Sequence, residues 1–264
     1  MEKKKKSILG QKAYVSVLLA LFALVAITAA TVAWFSIAGN TQVYSMRLDI
    51  TGGAILRFDL VPHATLEEYK QTLSFDEIAV FTEEKLGYNM KKTPLKPVTT
   101  EDCAVFTFRD GTVVENETGA YWEFVLHFMA NEDMIVHLSP YNSEDKEDST
   151  LVWSSREKTP EAMRISFSVD GNNMIFDPGM GDESIISGNN KNFGLQNANE
   201  PLYNENSILF SIEKEVDKAV TVRVWMEGTD PACTDELKGT DFAIRLRFEG
   251  TDENGKRLNS YKTS

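Results

Sequence analysis

Apolar and polar residues alternate with a period of two along much of the chain beyond residue 41, which is the pattern of β-strands with one buried face. The clearest runs lie at 163–169, 220–226 and 242–248, where Val, Ile, Leu, Met or Phe occupies every second position. Residues 46–50 and 122–128 alternate in the same way, and residues 104–108 lead into an Asp110-Gly111 turn. The sequence therefore predicts a domain built mainly of short strands.

Turn and helix signals complete this prediction. Asp170-Gly171-Asn172-Asn173 separates two alternating runs and predicts a hairpin. Two short helices are expected, at Leu66–Leu73 and at Phe75–Leu86, the second with Ser74 as its N-cap and Glu77 at the third helical position. Polar loops are expected at Tyr141–Thr150 and Gly179–Asn206. Many short strands with few helices favour an all-β, two-sheet sandwich of the jelly-roll type, here preceded by an N-terminal hydrophobic helix.

The N-terminus has the composition of an export leader. Five lysines within the first 12 residues precede a stretch from Ala13 to Ala38 that carries no charge. A basic segment followed by an apolar run is typical of a secretory signal, and it orients the rest of the chain outward. Small residues at Thr31 and Ala33 predict cleavage by a signal peptidase between Ala33 and Trp34. The apolar stretch is also long enough for an uncleaved membrane anchor.

These features divide the chain into a leader or anchor at residues 1–33 and one extracellular β domain at residues 34–264. After Ala33 the chain has 22 basic and 39 acidic side chains, a net charge of −17. Such a surface repels nucleic acid and anionic lipid headgroups, so we predict no nucleic-acid partner. The membrane contact is expected through the N-terminal segment alone, before cleavage or without it.

Motifs for catalysis are missing from the sequence. The histidines His63, His127 and His137 do not form a zinc-binding spacing, and there is no nucleophile elbow, phosphate loop or dinucleotide fingerprint. We therefore predict a protein that is not an enzyme, with no catalytic residues, cofactor or metal. Asp230 and Asp252 end the two Glu-Gly-Thr-Asp repeats and are weak calcium candidates, and the favoured interpretation is two turns of similar chemistry.

Two further side-chain pairs leave alternatives open. Cys103 and Cys233 could form a disulfide after export, or remain two unrelated thiols. Trp153 and Trp225 could form a platform for sugar rings, or cover part of the sandwich itself.

The segment Thr31-Val32-Ala33-Trp34-Phe35-Ser36 resembles the processing region of the TasA/camelysin family, which contains biofilm-matrix and surface proteins of Gram-positive bacteria. The resemblance implies cleavage by a dedicated signal peptidase. It also implies a jelly-roll subunit that polymerises when the mature N-terminus of one subunit adds a strand to the next. The peptidase activity attributed to camelysin is not carried over, because the sequence does not supply the metal ligands that it needs.

The sequence thus favours a non-enzymatic, secreted or cell-surface protein that forms fibres in an extracellular matrix. Its expected assembly strand contains Trp34, Phe35, Ile37 and Val43, because a partly alternating apolar segment can pair with an exposed sheet edge. The same segment could instead be the domain's own first strand or the end of an anchor. A membrane-anchored module that binds glycans or a partner protein is the second hypothesis, and a secreted hydrolase is the third.

Overall fold

The computed structural model describes residues 15–23, 42–50, 55–115, 120–139, 150–154, 161–179, 184–187, 190–194, 208–234, 237 and 240–258. The strands are β1 (Gln42–Ile50), β2 (Leu56–Asp59), β3 (Thr72–Ser74), β4 (Pro97–Val98), β5 (Trp122–Ala130), β6 (Met134–Leu138), β7 (Leu151–Ser154), β8 (Met163–Val169), β9 (Asn172–Phe176), β10 (Ser184–Ser187), β11 (Asn190–Phe193), β12 (Ile208–Ile212), β13 (Lys218–Glu227) and β14 (Asp241–Thr251). Helix α1 covers Phe75–Leu86, and a 3₁₀ turn covers Leu66–Glu68.

The strands form two sheets, so the predicted all-β sandwich is confirmed. The first sheet has the order β12-β6-β14-β1-β3, with β7 also paired to β14. The second has the order β10-β11-β9-β8-β13-β5-β2, with β4 also paired to β13. Most neighbours are antiparallel, but β1 runs parallel to β14, β9 to β11, and β4 to β13. Both sheets are therefore mixed.

Aromatic rings join the two sheets across the core. Phe128 of the second sheet lies 5.1 Å from Phe248 and 5.1 Å from Phe210, both of the first sheet, measured between ring centroids. Phe58 and Phe167 also contact Phe248, at 5.8 and 5.9 Å. All five rings are buried, because the period-two pattern turns every second side chain of each strand inward. Burial of each large aromatic side chain contributes about 1.5–3 kcal/mol to folding.

A second, smaller core covers the outer face of the second sheet. Residues 96–115 and 120–121 cover that face, and Phe106 contacts Trp225 with a centroid distance of 5.5 Å. Tyr121 stacks on Phe106 at 3.9 Å. Trp225 is only 2% exposed as a result. The strand predicted at residues 104–108 is not formed, because this segment makes only isolated bridges through Thr107. The turn at Asp110-Gly111 is present, with Gly111 at φ 84°.

The hairpin and one of the two helices are confirmed. Asp170 and Gly171 have φ values of 51° and 79°, as a two-residue hairpin turn of type I′ requires, and they join β8 to β9. Helix α1 starts with a capping box. The Ser74 side chain accepts a hydrogen bond from the Glu77 backbone N–H, and the Glu77 carboxylate accepts one from the Ser74 backbone N–H.

One helix prediction and one loop prediction were wrong in part. The predicted helix at Leu66–Leu73 is a single 3₁₀ turn followed by strand β3, since Leu73 pairs with Leu48 and points into the core. The predicted loop at Gly179–Asn206 contains β10 and β11. β11 is added to the second sheet by parallel pairing with β9.

Little of the leader belongs to the described residues. Residues 15–23 are helical and exposed, whereas 1–14 and 24–41 lie outside the described ranges, so the full hydrophobic helix stays a prediction. Among the described residues, no helix combines the length and the apolar character needed to cross a membrane.

Candidate functional site

A groove of about 870 Å³ lies beside β12 and is lined by residues of both sheets. Strand β12 is the last strand of the first sheet, and among the described strands its partner is β6 alone. The apolar lining comes from Met134, Ile208 and Ile212 in the first sheet, from Val169 and Met174 in the second, and from Val216 between β12 and β13. The groove therefore combines an apolar surface with a strand edge that can accept further backbone hydrogen bonds.

Three carboxylates lie at one end of the groove. β12 ends where β6 begins, because the two strands are antiparallel and Ile212 is opposite Met134. β14 ends there too, since it is also antiparallel to β6. Asp133, Glu213 and Glu253 stand at these strand ends and line the groove. This end of the groove is therefore acidic.

The three carboxylates differ in their partners. Asp133 Oδ1 accepts a hydrogen bond of 2.7 Å from the backbone N–H of Lys214. The Glu213 and Glu253 side chains are exposed and make no hydrogen bond or ion pair within the described part of the chain. Two acceptor groups at this end are therefore available to a cation.

The wall formed by the second sheet is held by internal pairs. Lys218 Nζ lies 2.5 Å from Asp170 Oδ2. Asp217 lies 2.9 Å from His127 Nδ1 through Oδ2 and accepts a 2.6 Å hydrogen bond from the Tyr69 hydroxyl through Oδ1. Burial, with a smaller contribution from that hydrogen bond, raises the pKa of Tyr69 to about 12. Tyr69 thus stays protonated at neutral pH and keeps Asp217 in place.

The hydrogen-bonded group extends from Tyr69 toward helix α1. His63 Nε2 lies 3.0 Å from Asp59 Oδ2, and the His63 ring stands edge-on to Tyr69 at 4.9 Å between centroids. Lys70 Nζ lies 3.6 Å from Asp59 Oδ1 and 3.2 Å from Glu77 Oε1. These contacts fix the segment that follows β2 on the outer face of the second sheet. They join acid and base side chains of β2, the following segment and helix α1.

The sequence analysis did not find the pair formed by His127 and Asp217. The two residues are 90 positions apart, and Asp217 belongs to a short connection that has no alternating pattern of its own. The pairing depends on the antiparallel register of β5 and β13, in which Ala219 is opposite His127. The one feature of the sequence that could have indicated this pair is the position of Asp217 directly before the alternating run of β13.

The structure does not bring the calcium candidates together. Asp230 Oδ2 lies 2.6 Å from Arg164 Nη2, and its Oδ1 accepts from the Ala232 backbone. Asp252 Oδ1 accepts hydrogen bonds from the backbones of Asn254 and Lys256, each at 2.9 Å. No group of three or more His, Cys, Asp or Glu side chains suited to a metal ion occurs within the described ranges. Both aspartates accept hydrogen bonds from backbone N–H groups of turns, as the interpretation of two similar turns predicts.

Both cysteines are free thiols in the structure, so the disulfide considered from the sequence is not formed there. Cys103 belongs to the segment that covers the second sheet and is buried in the smaller core, whereas Cys233 is partly buried against the main core. Burial raises the pKa of each thiol to about 11, which keeps both protonated at neutral pH.

The tryptophan platform is not present. Trp225 is buried beneath Phe106, and its indole N–H donates to Glu227 Oε2 at 3.0 Å. Trp153 is partly exposed on β7, and the Arg245 guanidinium lies over its ring at 5.6 Å. The hypothesis of a sugar platform built from these two rings was therefore wrong.

Of the residues expected in the assembly strand, only Val43 belongs to the described part of the chain. Val43 belongs to β1, is 2% exposed, and pairs with Phe242 of its own chain, so its inclusion in an intermolecular strand was wrong. Ala33, Trp34, Phe35 and Ile37 lie outside the described residues. Any strand offered to another subunit must therefore end before β1 begins at Gln42.

Comparison of the chain with protein-family models, with curated proteins and with solved structures finds no match.

Proposed function

We propose that this chain is a non-enzymatic, exported protein of the cell surface or extracellular matrix. In this proposal it is the subunit of a fibre, and subunits are joined when the N-terminal segment of one copy adds as a strand to the next. The export leader, the strongly acidic domain and the resemblance of Thr31–Ser36 to TasA/camelysin processing regions support the location.

The observation that carries the assembly step is the edge of β12 beside its apolar groove. An added strand would pair with the backbone groups of this edge that have no partner among the described strands, and it would place alternate side chains in the groove. The eight residues from Trp34 to Thr41 span about 26 Å when extended, which is longer than the five residues of β12. Burial of Phe35 and Ile37 would contribute about 3–6 kcal/mol before the cost of ordering the segment.

The jelly-roll form of the sandwich belongs to the same proposal. Eight of the strands follow the jelly-roll arrangement, with β1-β14-β6-β12 in one sheet and β5-β13-β8-β9 in the other. One feature departs from it, since β1 is parallel to β14 whereas a jelly roll is antiparallel throughout.

The proposal is tested by electron microscopy of the mature protein that starts at Trp34. This protein should form fibres, and deletion of Trp34–Asn40 should leave a folded monomer that does not. Fibres of unchanged abundance from the deleted protein would exclude strand addition by this segment. An unfolded deletion variant would show that the segment belongs to its own domain.

A groove variant tests the acceptor side. Val216 lines the groove and is 48% exposed, so Val216→Asp should abolish fibres without changing the melting temperature by more than a few degrees. Val80→Asp is the matched control, since Val80 is 54% exposed on helix α1, away from this groove. Fibres from the Val216 variant equal to those of the control would place the contact elsewhere.

A further inference from the structure

The parallel ladder of β1 with β14 joins the first strand of the domain to the last described one. Gln42 is opposite Asp241 and Ile50 is opposite Phe248, with one register shift between them. In a parallel pair, the start of one strand and the end of the other lie at opposite ends of the ladder. A force that pulls β1 from Gln42 and β14 from Thr251 therefore acts along the strands, and it loads the hydrogen bonds of the ladder together.

We propose that this ladder is a mechanical clamp, which keeps the domain folded under tension applied through its N-terminal segment. This inference rests on the proposed function, in which that segment joins one copy to the next, and it extends that function to the force that a joined copy withstands. The load would enter at Gln42 in the same way if residues 1–33 remained as a membrane anchor, because the anchor also precedes β1.

The acceptor edge lies at the far end of this clamp. β6 pairs with β14 from Phe248 to Thr251, and β12 pairs with the other edge of β6. β1 instead begins at Gln42, opposite Asp241. From Asp241 to Thr251, β14 spans about 33 Å at about 3.3 Å per residue. Tension between the N-terminal segment of a copy and its own β12 edge thus enters and leaves at opposite ends of β14, whichever way the added strand runs.

Both strands of the clamp are held on both edges. β14 pairs with β1 on one edge and with β7 and β6 on the other, and β1 also pairs with β3. The inward side chains of the two strands are buried: Val43, Met46 and Leu48 of β1, and Phe242, Ile244, Leu246 and Phe248 of β14. Sliding β1 along β14 would therefore break backbone hydrogen bonds and move apolar side chains out of their places in the core at the same time.

The direction of pulling gives a comparison within one fold. A force applied at Gln42 and Asp241 acts on adjacent ends of the two strands, so it separates them across the ladder and breaks the hydrogen bonds one after another. The hydrogen bonds and the core are the same in both cases, and only the end of β14 that is pulled differs.

The experiment is single-molecule force spectroscopy of the mature protein, with one handle attached ahead of Trp34. The second handle is attached through an azide-bearing residue that replaces Asn254 in one variant and Asp241 in the other. Asn254 follows the end of β14 and Asp241 begins it, and both side chains are exposed. At equal loading rate, we expect the unfolding force for the Asn254 attachment to be about twice that for the Asp241 attachment, or more.

Thermal unfolding checks that both variants keep the melting temperature of the unaltered protein within a few degrees. If the domain does not tolerate the handle at Asp241, Lys238 replaces it, since Lys238 also precedes β14 in the chain. Equal unfolding forces for the two attachments would overturn the clamp, even in a protein that forms fibres. The expected difference in a protein that forms no fibres would support the clamp and overturn the proposed function.

Discussion

The Tyr69 hydroxyl donates a 2.6 Å hydrogen bond to Asp217, and this bond connects residues that are 148 positions apart. Tyr69 belongs to the segment that follows β2, whereas Asp217 stands just before β13 on the wall of the groove. A side chain from the first third of the domain thus positions a carboxylate of the proposed acceptor site.

Tyr69→Phe should lower the free energy of unfolding by about 1.5 kcal/mol. This is the lower end of the range for a hydrogen bond to a charged group, because the Asp217 side chain is 31% exposed and water can replace the donor. Urea unfolding measures the change. Tyr44→Phe is the control, since Tyr44 is 55% exposed, and its effect should be below about 0.5 kcal/mol.

Burial of Tyr69, together with this hydrogen bond, predicts a dependence on alkaline pH. The pKa of Tyr69 is about 12 in the fold against an ordinary value of 10.0, so the folded state holds its proton longer than the unfolded state. The resulting stability is complete below pH 10 and is lost as the pH rises toward 12. Tyr69→Phe should therefore lose less stability between pH 10 and 12 than the unaltered protein does. A parallel decline in both proteins would contradict this assignment.

Phe167→Ala should cost about 3–5 kcal/mol, because the ring is fully buried and packs against Phe248 across the two sheets. Val105→Ala removes an apolar side chain that is 51% exposed and should change stability by less than about 0.5 kcal/mol. Thermal and urea unfolding of both variants would check the prediction. A Phe167 effect under about 1 kcal/mol would show that the core is placed differently.

Arg164→Ala should destabilise the fold by about 3 kcal/mol. Its guanidinium lies 3.0 Å from Asp177 and 2.6 Å from Asp230, with all three side chains at most 14% exposed, so its loss removes a cation that two buried carboxylates contact. Lys92→Ala breaks an exposed pair with Glu83 and should cost less than about 1 kcal/mol. Equal effects of the two variants in urea unfolding would contradict the buried cluster.

The cysteines should be detected as two thiols in the denatured, unreduced protein. In the native protein, burial and a pKa of about 11 keep Cys103 and Cys233 protonated, so both should react slowly with a thiol reagent at pH 8. Reagent titration with and without denaturant measures both states. The absence of any thiol after denaturation would demonstrate the disulfide that the structure lacks.

The exported form should begin at Trp34. Thr31 and Ala33 supply the small residues that a signal peptidase requires. Mass spectrometry of protein released from the cell surface identifies the first residue. A surface form that retains Met1 would instead identify residues 1–33 as a permanent anchor.

Elements with a strong local pattern could be predicted from the sequence. β8, β13 and β14 alternate over seven or more residues, and the matching side chains are buried on one face. Helix α1 was predicted with its correct bounds, because Ser74 and Glu77 form a capping box from residues only three positions apart. These elements depend on neighbours along the chain, and such neighbours are visible in a single sequence.

Features that depend on distant segments could not be predicted. Trp225 lies on the strand face opposite a buried row of valines, which predicts exposure, but the segment that contains Phe106 covers its ring. The local sequence predicts a helix that includes Leu73, although pairing with Leu48 places this residue in strand β3. The groove was missed for the same reason, since its two walls come from both sheets and its carboxylates meet only through strand register.

The parallel pairing of β1 with β14 has a consequence for the order of folding. β1 lies between β14 and β3 in the first sheet, and its residues from Gln42 onward pair with residues from Asp241 onward. The first sheet therefore cannot close until almost the whole chain is available, and such long-range pairing makes folding slow. Until β14 has been synthesised, the edges of β1 and β6 that it joins lack this partner, and an unpaired strand edge is a site at which chains aggregate.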